Sequence, residues 1–310
     1  MQALLQAVAA MARPVEACRV FHGRGGLHPG LEAFTLDWFA PLFLLTSFGP
    51  ATAEDLAAVN DALATRWAEL APGEPLNWAY QCRPGGSAPG RTETRLMAGS
   101  VPEPQVVEEQ GLRYQVQLLR GQNHGLFLDM AEGRRWVRAW AQAHSGGKVL
   151  NLFAYTCAFS VAALAGGAAQ VVNVDMSSGA LATGQRNHAL NGLGAGASFL
   201  AHDVFSSWGK LTRGGPYALV VADPPSYQKG SFVATKDYAR LVRRLPALLA
   251  PGGHALLCLN APELGPGFLQ ELLQTEAPGL VLEGRLPNPP AFADIAPERA
   301  LKVMVVRAPA

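Results

Sequence analysis

The stretch KVLNLFAYTCAFSVAALAGGAAQVVNVD, residues 148–175, decides the fold. Between Lys148 and Asp175 it carries no charge, and an apolar run of that length is long enough to span a bilayer. Asn151, Thr156, Ser160, Gly166, Gly167, Gln170 and Asn173 interrupt it, so it divides into strand, loop, helix and strand. Lys148–Phe153 is apolar on both faces, as strands inside a parallel sheet are. Phe159–Ala165 reads as the crossover helix and Val171–Asp175 as the next strand.

The same alternation extends outward. Arg134–Ala143 is a predicted helix with Trp136, Val137 and Trp140 on one face. Helices are predicted over Ser178–Leu190, Tyr238–Leu249 and Gly267–Glu276. Strands are predicted over Ala197–Ala201, Tyr217–Asp223, His254–Asn260, Leu280–Leu286 and Lys302–Arg307. This is an α/β pattern, a parallel sheet with helices on both faces. Toward the N-terminus the pattern changes. Val15–Phe21, Ala33–Trp38 and Leu42–Phe48 read as short strands, the first followed by the Gly23–Gly26 turn. Thr52 caps a helix with Glu54 and Asp55 in its first turn, and Leu56, Val59, Leu63 and Trp67 recur at helical spacing to about Leu70. Pro84–Gly90 is a loop, and Val106–Leu119 a hairpin turning at Gln110-Gly111. The expected organisation is a small α+β accessory domain over residues 1–120 before an α/β domain over 121–310.

Composition bounds what such a chain does. The 310 residues are 49% apolar and 16% charged, which excludes a disordered chain and a coiled coil. The net charge of +1 excludes a diffuse polybasic binder. Residues 1–110 hold 7 Arg, no Lys and 12 acidic residues, whereas residues 111–310 hold 18 basic and 12 acidic ones. That asymmetry hints at an anionic ligand for the second half, although composition alone favours an uneven surface charge of no consequence. Cys18, Cys82, Cys157 and Cys258 stand too far apart for a zinc pattern, so no metal is expected. The stretch MQALLQAVAAMARP has no basic residue ahead of its apolar run, so no signal peptide is expected, no membrane span is expected, and the expected location is the cytoplasm.

In a doubly wound sheet ligands gather at the carboxyl ends of the strands. Asp175 ends one strand, Asp203 follows the next, and Asp223-Pro-Pro-Ser-Tyr227 follows another. A carboxylate at Asp175 can take the paired hydroxyls of a ribose, and one at Asp203 an exocyclic amine. Strand-terminal Asp also serves as a helix cap or turn residue. Pro224 and Pro225 lock an extended loop whose carbonyls stay available as acceptors, and Tyr227 offers a face for a planar base.

With these residues the chain resembles the class I S-adenosylmethionine-dependent methyltransferases, in particular the family that methylates bases of large-subunit ribosomal RNA. Gly121-Gln-Asn-His-Gly-Leu-Phe-Leu-Asp129 is similar to the motif leading into that family's catalytic domain. Asn151–Ser160 matches its cofactor loop, Val174-Asp175 its ribose acid, Asp203-Val-Phe205 its adenine acid and Asp223–Tyr227 its catalytic loop. Arg19-Val-Phe-His-Gly-Arg-Gly-Gly-Leu-His-Pro-Gly-Leu31 looks like the α+β domain those enzymes place first. The resemblance implies a Rossmann-like sheet and S-adenosylmethionine as cofactor. It implies cofactor contacts from Phe127, Asp129, Asn151, Phe153 and Tyr155, and from Thr156, Ser160, Asp175, Asp203 and Asp223. Three features depart from the family: His124 replaces a Thr, Ala131 an Arg, and Cys157-Ala158 stand where the loop has Gly. A Cβ at either of the last two positions is expected to narrow the cofactor pocket. Because the α+β unit starts near residue 15, the small N-terminal RNA-binding barrel of many relatives is not expected in this stretch.

The atom methylated turns on the fifth strand's end. Cytosine C5 needs a cysteine nucleophile, which C5-forming relatives carry just after that strand. Here Asn260 stands there, and Cys258 lies within the strand as a core thiol. Guanine-N7 relatives have Asn at this place. The expectation is therefore a base nitrogen of ribosomal RNA, guanine N7 first, with Asp223, Pro224, Pro225, Tyr227 and Asn260 as the catalytic set and cytosine C5 as the alternative. RNA contacts are expected from Arg134, Arg135 and Arg138, and from Lys229, Lys236, Arg240, Arg243 and Arg244, with Tyr238 interleaved. A methyltransferase of small molecules or proteins, and a non-catalytic member of the fold, are the other readings. The oligomeric state, a homodimer included, is left open.

Overall fold

The computed structural model describes residues 1–83, 91–225, 227–228 and 232–310, with the backbone alone at Tyr227 and Gln228. The loop read over Pro84–Gly90, and Lys229 among the expected RNA contacts, lie outside the described residues. The chain divides into two compact units, Met1–Leu128 with Pro289–Ala296, and Asp129–Asn288 with Pro297–Ala310. Among the described residues no helix is long and apolar enough to cross a membrane.

The first unit comprises α1 (Gln2–Ala10), β1 (Cys18–His22), β2 (Phe34–Phe39), β3 (Leu42–Phe48), α2 (Ala53–Leu70), β4 (Trp78–Arg83), β5 (Glu93–Ala98) and a hairpin of β6 (Gln105–Glu109) and β7 (Leu112–Val116). The first five strands form one sheet in sequence order. All neighbours are antiparallel except β3 and β4, which α2 connects in parallel. α2 starts as its sequence predicts, with the Asp55 N–H donating to Thr52 Oγ1 at 3.0 Å. Its Leu56, Val59, Leu63 and Trp67 pack with Leu4 and Val8 of α1 onto Leu36, Trp38, Phe43, Leu45 and Trp78 of the sheet. The opposite sheet face holds a polar row beside apolar Phe39, Leu42 and Leu44: His22, Thr35, Thr46, Gln81 and Thr94 stand level across the five strands.

The second unit begins with α3 (Ala131–Ala143), β8 (Lys148–Leu152), α4 (Ala158–Ala165), β9 (Gln170–Asp175), α5 (Ser178–Leu190) and β10 (Ala197–Ala201). It continues with α6 (Trp208–Gly214), β11 (Tyr217–Ala222), the short pair β12 (Tyr227–Gln228) and β13 (Phe232–Val233), α7 (Ala234–Val242) and α8 (Leu245–Leu248). It ends with β14 (Leu249–Leu259), α9 (Pro266–Glu276), β15 (Val281–Arg285) and β16 (Lys302–Arg307). The seven main strands run in the order β10-β9-β8-β11-β14-β16-β15. This is a Rossmann-like α/β sheet, and its strand order switches between β8 and β11. One expectation is corrected: the sheet is mixed, because β16 runs antiparallel to both β14 and β15. Another is that Tyr238–Leu249 is not one helix. Pro246 cannot donate to the Val242 carbonyl, so α7 stops, α8 makes a fresh turn, and Leu249 already belongs to β14.

Both faces of this sheet are covered, and alternate residues divide between them. Leu150, Leu152, Val220, Ala222, Leu257 and Val306 pack against Tyr238, Leu241, Leu245 and Leu269 of α7, α8 and α9. Val149, Val171, Leu219, Val221, Leu256 and Cys258 pack against Val137 and Trp140 of α3 and Phe159 of α4. With no free face, polar chemistry in this unit is left to the strand ends.

Candidate active site

Register sets the site. Ala222 of β11 stands beside Leu152 and Leu257, Leu152 beside Val174, and Val174 beside Leu200. One residue further along are Phe153, Asp175, Ala201, Asp223 and Cys258. Asp175 and Asp223 thus emerge on either side of β8 at the switch in strand order, and Asp203 follows two residues past β10.

The loop leaving β8 is held in an uncommon conformation. Phe153, Tyr155 and Cys157 have φ of 57°, 48° and 62°, each left-handed without being glycine. Such residues cost roughly 1–2 kcal/mol apiece and persist where surrounding contacts over-determine them. Here the Ala154 N–H donates to Val174 O (3.0 Å), Tyr155 N–H to Asp175 Oδ2 (2.8 Å) and Cys157 N–H to Ala154 O (2.7 Å). Asn187 Nδ2 donates to Thr156 O at 3.0 Å. Cys157 adopts the conformation for which glycine is the usual residue. Its side chain is fully buried with Ala154 and Leu181, against Gly184 of α5, where any Cβ would strike the sulfur. The bulk added at 157 is therefore absorbed by a glycine on α5.

Asn151 and Ser160, expected beside the cofactor, spend their side chains in a buried network. Asn151 Nδ2 donates to Asn173 Oδ1 (2.9 Å), Asn173 Nδ2 to Ser160 Oγ (3.0 Å), and Ser160 Oγ lies 2.8 Å from His188 Nε2. Buried polar groups need such partners, and this chain of bonds ties α4 and α5 to β8 and β9. Burial lowers the His188 pKa, so the imidazole is neutral. Asp175 accepts the N–H groups of Tyr155 and Ser177, both at 2.8 Å. Asp203 accepts those of Phe205 (3.1 Å) and Ser206 (3.2 Å). An ionised carboxylate has about four acceptor positions, so each keeps capacity for a ligand.

Asp223, at the end of β11, has a strongly altered acidity. Burial, then the nearby Asp129 carboxylate, push it up to about 7, while Arg134 opposes them. Arg134 is 3% exposed. Its expected place on an RNA-facing surface is corrected: it is a buried counter-charge to acids of the site. Cys258 is fully buried, and burial with Asp223 and Asp129 pushes its thiol well above the usual range. The Tyr238 hydroxyl donates to Cys258 O at 2.8 Å and the ring is buried, so Tyr238 is not an aromatic for RNA to stack on. Asn260, one residue past β14, is exposed. The backbone of Tyr227 pairs with Val233.

The other expected RNA contacts are dispersed. Arg135 is exposed and donates to both carboxylate oxygens of Glu132 (2.6 and 2.7 Å), and Arg138 is half-buried. Lys236 and Arg244 are exposed. Arg243 pairs with Glu276 at 2.7 Å. Arg240 pairs with Asp237 at 2.8 Å and lies 4.2 Å from the Phe205 ring centre. Phe127 belongs to the first unit and is 44% exposed.

Two features had no clear signal in the sequence. Phe153, Phe205 and Phe232 meet at ring-centre distances of 5.5–6.3 Å, an aromatic cluster of residues that follow three different strands. Lys302, fully buried, donates to Ala261 O at 2.7 Å and so secures the segment that carries Asn260. A lysine opening the apolar strand KVMVVR was the one hint of it.

Strand-end acids, a strained loop at the switch point and spare acceptor capacity at Asp175 and Asp203 fit a nucleoside-bearing cofactor. A family signature described as S-adenosylmethionine-dependent methyltransferase matches residues 18–307, and the chain belongs to that family. It is 34% identical over 235 residues to a ribosomal RNA large subunit methyltransferase I of Aeromonas salmonicida, covering 72% of this chain and 56% of that one. It is 40% identical over 160 residues to a ribosomal RNA large subunit methyltransferase K/L of Hahella chejuensis, covering 50% of this chain and 22% of that one. The chain thus spans about half or less of these relatives' lengths. The solved structure of SMU.776, a putative methyltransferase complexed with SAH, superimposes with a TM-score of 0.79 at 23% identity, over 99% of this chain and 81% of that one. The chain is thus a member of the S-adenosylmethionine-dependent methyltransferase family with a Rossmann-like fold.

Proposed function

We propose that the protein methylates a base nitrogen of large-subunit ribosomal RNA, guanine N7 before others, in the cytoplasm. The carrying observation is the end of β14, where Asn260 is exposed while Cys258 is fully buried with its thiol pushed up. A thiol nucleophile must ionise and reach the ring, and this one is poorly placed for both. The names of the two relatives supply the substrate class.

S-adenosylmethionine, when bound, supplies an electrophilic methyl group on a sulfonium. On this reading Asp175 holds the ribose and Asp203 the adenine, with Asp129 and the 153–157 loop completing the pocket. Ring-nitrogen methylation needs a lone pair aligned with the methyl group and an environment that tolerates positive charge on the base. The ionised Asp223 favours that charge, the Pro224 and Pro225 carbonyls accept hydrogen bonds, and the Asn260 amide can donate to and accept from a base edge. Tyr227 is assigned the stacking face.

The test compares ribosomal RNA nucleosides from wild-type and deletion strains by mass spectrometry, with the purified protein restoring the lost mark. Loss of 7-methylguanosine supports the reading in full, and loss of another N-methylated base leaves only its coarser form. Cys258→Ala retains activity on this reading. Inactivity of that variant, together with a covalent adduct between wild type and 5-fluorocytidine RNA, establishes the cytosine-C5 alternative instead. Ribosomal RNA unchanged by the deletion points to a different substrate.

A further inference from the structure

The polar sheet face of the first unit carries an arginine cluster that methyl transfer does not use. Arg19 of β1 engages both carboxylate oxygens of Asp37, Nε to Oδ1 at 2.7 Å and Nη2 to Oδ2 at 3.0 Å. Its Nη1 lies 2.7 Å from His22 Nδ1, and its guanidinium 4.3 Å from the Phe292 ring centre. Asp37 and Arg19 thus form a two-point ion pair. His22 adds no charge, since burial and then Arg19 push it down to about 4.

Two more guanidinium groups gather on one ring beside that pair. Arg24 lies 4.0 Å and Arg83 5.8 Å from the ring centre of Phe48. Arg83 is aimed by its bonds to Gln81 Oε1 (2.6 Å) and Gln122 O (2.7 Å). Arg24 is exposed on a tight turn whose flanking glycines are obligatory: a Cβ on Gly23 would collide with the Leu31 carbonyl, and one on Gly25 with the Ala293 carbonyl. Burial lowers the Arg83 pKa; the Asp37 carboxylate opposes that shift, and the Arg24 and Arg19 charges add to it. A bound anion offsets those positive charges, and forked guanidinium donors suit phosphate oxygens.

We propose that Arg24 and Arg83, seated on Phe48, form a binding site for backbone phosphate of an RNA strand on the first unit. It rests on the RNA-substrate reading above. It also moves part of the RNA contact to the half of the chain whose net charge is negative.

The test titrates the full chain against a labelled single-stranded RNA of about 20 nucleotides between roughly 50 and 200 mM salt. Each phosphate contact on a single strand contributes about 0.7 to the slope of log affinity against log salt. Arg24→Ala with Arg83→Ala is expected to flatten the slope by about 1.4 and weaken binding on the order of tenfold. Arg24→Ala alone, at an exposed side chain, is expected to remove about 0.7, and Arg24→Lys to retain the wild-type slope. Unchanged affinity for S-adenosylmethionine by calorimetry verifies that each variant is folded. Variants with the wild-type affinity and slope overturn the site and leave the RNA reading standing. Wild type that binds no RNA at the lowest salt overturns both.

Discussion

The two sheets handle polar residues in opposite ways. In the second unit both sheet faces are covered, so charge and strain collect at the strand ends, around Asp175, Asp223 and the 153–157 loop. In the first unit helices α1 and α2 pack on one face, and charged groups stand within strands on the other, paired in place as Arg19 is with Asp37. A sheet lined with apolar residues on both faces leaves ligand chemistry to its edge; a sheet with a polar row on one face can hold charge within it, as at buried Asp37. The same residue type therefore has different consequences in the two units, and this can be tested.

The largest effect is expected from removing a buried counter-charge in either unit. Arg134→Met and Arg19→Met should each cost about 3–5 kcal/mol in urea unfolding, because each strands a carboxylate. Only Arg134→Met should also move the pH profile of methyl transfer upward, since only it opposes the rise at Asp223. A matching shift in the Arg19 variant would erase the distinction between the units.

Asp223→Asn should lower methyl transfer by about 10²–10³-fold with S-adenosylmethionine affinity nearly unchanged, measured by radiolabel transfer and calorimetry. Because the ionised form is the useful one, wild-type kcat/KM should rise as pH passes through about 7. Stability has the opposite sign. A carboxyl whose folded pKa is raised from 3.8 to about 7 contributes stability below pH about 4 that is lost as pH climbs through about 7. Asp223→Asn should therefore be the more stable protein at neutral pH, by about 1–3 kcal/mol. A variant less stable than wild type at pH 7 would contradict a buried acid strained by its own charge.

Gly184→Ala should cost about 1–3 kcal/mol, because its Cβ meets the Cys157 sulfur, and Cys157→Gly in the same chain should recover most of that loss. Additive costs would show that the two positions do not share space. The smallest effect belongs to Arg243→Ala, which breaks the exposed pair with Glu276 and should change stability by less than about 1 kcal/mol.

Much of the fold was legible residue by residue. Leu42–Phe48, Ser178–Leu190, Ala197–Ala201 and Lys302–Arg307 occur with the bounds their sequence predicts, since periodicity, caps and turns are local properties. α1, β4, β5 and α6 were not anticipated. Glu93–Ala98 is a polar strand at the sheet edge, and strands of that kind lack the alternation that reveals a half-buried one. The direction of β16 was illegible for a related reason, because a strand's sequence does not record which way it runs. The strand-end positions of Asp175 and Asp223 were legible because a strand's end is a local signal. Burial of Arg134, diversion of Asn151 and Ser160 into a network with Asn173 and His188, and the lodging of Cys157 against Gly184 were not.

By itself the sequence determined the succession of elements and which acids end strands, since both follow from the spacing of apolar residues along the chain. Only the tertiary structure decided which charges are buried, which are paired and which face an opening. Desolvation and pairing depend on neighbours supplied by distant segments: Asp129 and Arg134 act on Asp223, and Arg24 from the turn after β1 meets Arg83 of β4 on the Phe48 ring of β3.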